Sequence, residues 1–190
     1  TDLDGESGYF DPKGVARKKA FLRSPLTFSR VTSGFNPKRF HPVLKTRRPH
    51  NGTDFGAPTG TPIRATGSGK VVYAGRNGGH GNFVKIDHPG PYASSYSHMH
   101  KIRVKNGQKV KQGQVIGTVG TTGMSTGPHL HYQFWKHGKF VDPMKIKLPR
   151  NQTLPASEMS RFKAKRDAWV DQLTDAVPVA MTDAPPTHQP

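Results

Sequence analysis

His50-Asn51-Gly52-Thr53-Asp54 places an imidazole and a carboxylate four residues apart, and His129-Leu130-His131 places two imidazoles two residues apart. Zinc accepts histidine nitrogen and carboxylate oxygen at roughly 2.0–2.2 Å, and a catalytic zinc site takes three protein ligands and keeps an open position for water. Asn51 and Gly52 argue against a helix between His50 and Asp54. A fully extended segment would hold the two side chains roughly 13 Å apart, at about 3.3 Å per residue. A shared metal therefore requires the Asn-Gly step to curl the backbone, which these residue types tolerate. The run from Gly127 to Trp135 is aromatic-rich and follows a Gly, Ser and Thr loop, so it reads as a strand. With a side-chain period of two, His129 and His131 then share one face while Leu130 and Tyr132 take the other. Neither motif is specific by itself; their co-occurrence carries the reading.

Three further stretches, Arg30-Val31-Thr32-Ser33-Gly34-Phe35, Pro58-Thr59-Gly60-Thr61-Pro62-Ile63 and Tyr96-Ser97-His98-Met99, join these motifs and the run Ser125-Thr126-Gly127-Pro128-His129. Together they make the span from Phe28 to Pro149 resemble the lysostaphin-type (LytM-type) zinc endopeptidases of the cell wall. The resemblance implies that His50, Asp54 and His131 hold zinc and that His98 and His129 are the catalytic histidines. The Tyr9 to Leu26 arm and Arg39-Phe40-His41-Pro42-Val43-Leu44 resemble the multidomain Gram-negative murein DD-endopeptidases. That implies a periplasmic or otherwise extracytoplasmic enzyme cutting the D-alanyl to meso-diaminopimelate bond of peptidoglycan cross-links, with a regulatory N-terminal domain outside this chain. A glycyl-glycine bridge is the Gram-positive alternative. A reading from another class is a catalytically inactive scaffold that binds the cell wall and activates an amidase; such relatives have lost metal ligands, whereas all five site residues are present here.

The carboxylates limit the proton chemistry. Between residues 28 and 149 only Asp54, Asp87 and Asp142 occur, and both glutamates, Glu6 and Glu158, lie outside. A Glu general base of the His-Glu-x-x-His kind is thereby excluded from this span. With Asp54 on the metal, proton transfer falls to histidine, whose ordinary pKa near 6.5 suits neutral pH. By strict alternation His98 and His100 share a strand face. His41, His80, His88, His137 and His188 read as surface, loop or satisfied structural histidines.

Around these residues the 190-residue chain holds one ordinary domain with appendages. The expected class is all-β: a compact β-sandwich or barrel-sandwich with an N-terminal β arm (1–27), a catalytic domain (28–149), a C-terminal extension with one helix (150–177) and a disordered tail (178–190). Strands are expected at Gly69–Ala74, Asn82–His88, Ala93–Met99, Lys109–Val110, Val115–Val119 and His129–Trp135, with turns at Asp11-Pro12-Lys13-Gly14 and His137-Gly138. The repeated Val-x-x-Gly-Gln-Val pattern between Val104 and Val115 also occurs in biotin- and lipoate-carrying sandwich modules, an architectural likeness that implies no cofactor. Two glycine-rich loops, Arg76 to Gly81 and Gly120 to Gly127, have the small polar residues to line a peptide groove. Ser157 is expected to cap the helix, which runs to about Ala176 with Phe162, Trp169 and Leu173 on one face. No apolar run reaches the ~18–20 residues that span a bilayer. The first residues read as cut from a longer chain. The absence of cysteine excludes thiolate ligands and disulfides. A net charge of +17 favours anionic partners. Its even spread, without an Arg-rich helix or an aromatic RNA-binding motif, argues against nucleic acid.

Overall fold

The computed structural model describes residues 2–3, 6–7, 10–16, 19–41, 46–47, 49–149, 154 and 156–175. Tyr9, Ala176, His188 and the expected tail at 178–190 lie outside the described residues, and the side chain of His41 is likewise undescribed. The chain divides into two compact units, residues 1–18 with 150–190, and residues 19–149.

In the smaller unit, strands β1 (Asp2–Leu3) and β2 (Glu6–Ser7) pair antiparallel. The Asp-Pro-x-Gly turn forms as expected. Gly14 N–H donates to the Asp11 carbonyl at 2.8 Å, and the Asp11 carboxylate accepts from the N–H groups of Lys13 and Val15. Gly14 takes φ +76°, and a Cβ there would meet the end of Met159 at 2.5 Å. Helix α1 (Ala156–Asp175) starts one residue before the expected cap, so Ser157 lies in its first turn. Of its expected apolar face only Phe162 is partly covered, edge-on to Phe10 at 6.0 Å; Trp169 and Leu173 are exposed.

The larger unit is built on one antiparallel sheet. In chain order its strands are β3 (Arg30–Ser33), β4 (Phe40–His41), β5 (Thr46–Arg47), β6 (Thr53–Gly56), β7 (Pro62–Arg64), β8 (Gly69–Arg76), β9 (Asn82–Asp87), β10 (Tyr92–Ile102), β11 (Lys109–Val110), β12 (Val115–Val119), β13 (His129–Lys136) and β14 (Lys139–Phe140). Strands β4 and β5 form a separate pair; the rest run β11-β8-β9-β10-β13-β6-β3, with β12 joining β10 to β7 and β14 beside β13, and the sheet does not close. The six strands expected between Gly69 and Trp135 all appear. Strands β3, β4, β5, β6, β7 and β14 were not expected, being too short for a period to register.

Strand β13 shows why the sequence folds this way. Leu130, Tyr132 and Phe134 are buried in the core with Tyr96, Ile86, Val84 and Val71, while His129 and His131 stay on the other face. Each fully buried apolar side chain of this size contributes about 1.5–3 kcal/mol, which fixes the register and so the direction of both imidazoles. Residues 19–27 belong to this unit, and Phe21 packs edge-on against Phe134 and His88.

Strand β10 departs from alternation. Tyr96 and Met99 are both core residues although three apart, and between them His98 adopts φ +61°. The pairing register slips here against β9, and again between Met99 and Lys101 against β12. Alternation carried on from Tyr96 would turn His98 into the core; the left-handed residue resets it, Met99 takes the core position, and His98 and His100 on either side of it both lie off the core, His98 buried and His100 exposed. A non-glycine residue held this way costs about 1–3 kcal/mol and persists only where its surroundings impose it.

Candidate metal centre and catalytic histidines

His50 is set by the segment that follows β3. Its backbone exchanges hydrogen bonds with Asn36, and its Nδ1–H donates to the Gly34 carbonyl at 2.7 Å. That carbonyl fixes the proton on Nδ1, so Nε2 of the neutral ring carries a lone pair. The chain bends at Gly52 before entering β6, as the Asn-Gly step required. Asp54 then faces His131 across the β6–β13 pair. Gly52 is needed for room: a Cβ there would lie 2.5 Å from His131 Cε1.

The three candidate ligands converge. His50 Nε2 is 3.1 Å from Asp54 Oδ2, His131 Nδ1 is 2.7 Å from Asp54 Oδ1, and the two nitrogens are 3.3 Å apart. On the neutral His50 ring, Nε2 and the Asp54 oxygen beside it are both lone-pair atoms, so the space between them calls for a cation or, without one, for a proton on Nε2 that is donated to Asp54. Separations of 2.7, 3.1 and 3.3 Å lie at or inside the edge, about 3.3 Å, of a tetrahedron drawn with roughly 2.0 Å bonds, the geometry zinc prefers. Burial pushes the Asp54 carboxyl up. The hydrogen bonds from His131 and His50, and their charges, more than reverse this and hold it well below the usual carboxylate range. Its hydrogen bond to Asp54 raises His50 in turn, against the effect of burial. Two imidazoles and a firmly ionised carboxylate make a ligand set that zinc fits.

His98 and His129 stand beside this centre, their ring centroids 4.8 Å apart, with His98 6.1 Å from His131. Each ring has Nδ1 on a backbone carbonyl: His98 on Thr122 at 2.8 Å, His129 on Gly127 at 2.9 Å. Carbonyls only accept, so both rings present an Nε2 lone pair. Burial pushes His98 below its ordinary value, and the neighbouring charges of His129, His131 and His80 add to this against the Thr122 hydrogen bond. Both carbonyls come from the 120–127 loop. It is tied to the 76–81 loop by Met124 N–H on the Gly79 carbonyl (2.8 Å) and to the start of β9 by Asn82 N–H on Thr122 Oγ1 (2.9 Å). At the crossing a Cβ on Gly123 would sit 2.4 Å from the Gly81 nitrogen.

The expected five residues are therefore brought together. A fifth histidine joins them: His80, expected only as a surface or loop histidine, lies with its ring 6.2 Å from His131 and its Nδ1 3.0 Å from the buried Ser97 hydroxyl. Burial, then the charge of His131, lowers its pKa. The other expectations hold for His88, whose ring nitrogens are both bonded, and for His137, which with Gly138 forms the positive-φ turn between β13 and β14.

Comparison with known proteins places this geometry. Residues 48–143 match the family model described as Peptidase family M23. The chain is 47% identical over 172 residues to the peptidoglycan DD-endopeptidase ShyC of Vibrio cholerae, covering 90% of this chain and 40% of that protein. It thus spans about two fifths of the length of that relative. Among solved structures, a zinc-containing peptidase from Vibrio cholerae superposes with a TM-score of 0.68 at 45% identity, covering 75% of this chain and 44% of the other. The catalytic domain of lysostaphin from Staphylococcus simulans superposes at 0.53 with 37% identity, covering 61% of this chain and 90% of that one. With its sheet and half of its length accounted for in this way, the chain belongs to peptidase family M23, a family of zinc metallopeptidases.

Proposed function

We propose that this protein is a zinc endopeptidase hydrolysing the peptide cross-links of peptidoglycan in the cell envelope, at the D-alanyl to meso-diaminopimelate bond. In this reading His50, Asp54 and His131 hold the metal, and His98 and His129 are the catalytic pair. The observation that carries it is the convergence of three ligand atoms beside two imidazoles whose Nδ1 protons are both committed to backbone carbonyls. The names of the relatives support the substrate class. Loss of ligands, the mark of the inactive scaffold, is not seen.

Bound zinc would polarise the scissile carbonyl and acidify water at neutral pH. The chain's own residues supply the rest. Asp54 stays ionised and contributes the one negative charge of the ligand set. His98, kept neutral by burial, and His129 offer Nε2 to the proton of the attacking water. Two rings at 4.8 Å do not both hold a second proton, so one becomes imidazolium while its neighbour remains a base. The imidazolium can donate to the oxygen that becomes negative and then to the leaving amine. Because both rings are oriented before substrate arrives, little reorganisation is needed.

The test is incubation with purified cross-linked peptidoglycan, with and without a chelator, followed by chromatography and mass spectrometry of the fragments. Cross-linked dimers should give monomers with intact glycan, the chelator should stop this, and zinc should restore it. Intact dimers, or release of whole peptides from glycan, would overturn the reading.

A further inference from the structure

The site face continues along the sheet as a trough. Strand β10 sets Ser97, Ser95 and Ala93 opposite His131, Gln133 and Trp135 of β13, and on its other side pairs Ser95 and Ala93 with Lys85 and Asp87 of β9. Paired residues share a face, so three small side chains form a floor between two taller walls roughly 10 Å apart, twice the strand spacing. Ser95 and Gln133 are buried and hydrogen bond to each other at 3.1 Å, which spends their polar groups on the floor. The far end differs. Lys85 reaches across Ala93 and sets its Nζ over the Trp135 ring at 5.1 Å, and Phe140 packs against Trp135 at 4.8 Å. Among the described residues Lys85 makes no ion pair, and Asp87, on the same face, is exposed.

We propose that Lys85, seated on Trp135, is a carboxylate-binding subsite that positions the stem peptide in the trough. The inference rests on the peptidoglycan reading above. Lys85 lies two to four residues along the sheet from His131, roughly 7–13 Å at 3.3 Å per residue. A stem peptide extended from the scissile bond carries free carboxylates over that range, one on diaminopimelate and one on the γ-linked glutamate. The aromatic ring holds the ammonium by its quadrupole and leaves its N–H donors to a carboxylate.

The test uses defined cross-linked dimers in three forms: free acids, amidated at glutamate, and amidated at diaminopimelate. For the wild type, one amidated form should raise KM about two- to fivefold, the range of a partly exposed ion pair, with kcat retained; which form does so identifies the carboxylate. Lys85→Gln should erase the difference at unchanged zinc content and kcat. Lys85→Arg should restore it, and Trp135→Leu, which removes the seat, should weaken it. Cleavage in which Lys85→Gln discriminates as the wild type does, or in which the wild type shows no preference, overturns the subsite alone. Failure of the wild type to cut any dimer removes the substrate reading and the subsite with it.

Discussion

The same strands carry two polar clusters on opposite faces, and the two solve opposite problems. On the site face, His50, Asp54 and His131 bring three ligand groups within 3.3 Å of one another, and among the described residues the Nε2 atoms of His98 and His129 beside them have no hydrogen-bond partner. On the core face, His88 Nδ1 donates to the Ser68 carbonyl, and Ser94 Oγ bridges His88 Nε2 at 2.8 Å and the Tyr96 hydroxyl at 3.0 Å. Tyr96 meets Thr66, and Tyr132 donates to Thr66 Oγ1 at 2.9 Å. That network is closed: each member is satisfied by another, which is what lets it lie in the core at all. Histidine content therefore does not mark a site; unsatisfied, convergent histidine does.

This contrast can be broken most sharply at the ligands. Asp54→Ala or His131→Ala should lose bound zinc by elemental analysis and take cross-link cleavage to background, and Gly52→Ala, by displacing His131, should weaken zinc roughly 10–100-fold. Next in size, His98→Ala and His129→Ala should each keep zinc while lowering kcat by about 10²–10⁴; a metal-free His129→Ala beside a zinc-loaded His131→Ala would exchange those two roles. On the core face the expected pattern is reversed. Tyr96→Phe leaves Thr66 N–H without its 2.9 Å partner and should cost about 1–3 kcal/mol in denaturant unfolding, with zinc content and kcat unchanged.

The smallest effect concerns pH. Burial holds His88 below its ordinary 6.5, against the Ser68 carbonyl and the charge of Asp87. The unfolded chain thus binds this proton more readily. The stability it represents is fully present above about pH 6.5 and is lost as pH falls from there through the lowered folded value. Unfolding midpoints measured between pH 7 and 5 should show that loss, and His88→Gln should reduce the slope. A slope identical in the variant would remove His88 from the account.

Much of the site was legible because β13 obeys a period of two: Leu130 and Tyr132 are driven inward, and His129 and His131 follow outward. The bend before Asp54 was legible for a similar reason, since distance alone demanded it. His98 was reached through resemblance and not through pattern. Alternation counted from Tyr96 turns it into the core, and nothing in the residue types announces a left-handed histidine. His80 was missed because Gly78, Gly79 and Gly81 around it give no period, and it gains its place only when β9 and β10 pair. The helix was legible from length and spacing, but which part of its apolar stripe is covered depends on tertiary contacts that spacing does not encode.

Thr122 and Gly127 give a last consequence, one of temperature. The carbonyls that orient both proposed catalytic histidines belong to one short loop whose Thr121, Gly123, Met124 and Thr126 are exposed, whereas the strands beneath are locked by the core. Segments with little buried surface open at lower free energy than the body they sit on. On warming, this loop should loosen first and release both rings together. Turnover should then fade as one step at temperatures where the sheet is still folded and the protein, by calorimetry, has yet to melt.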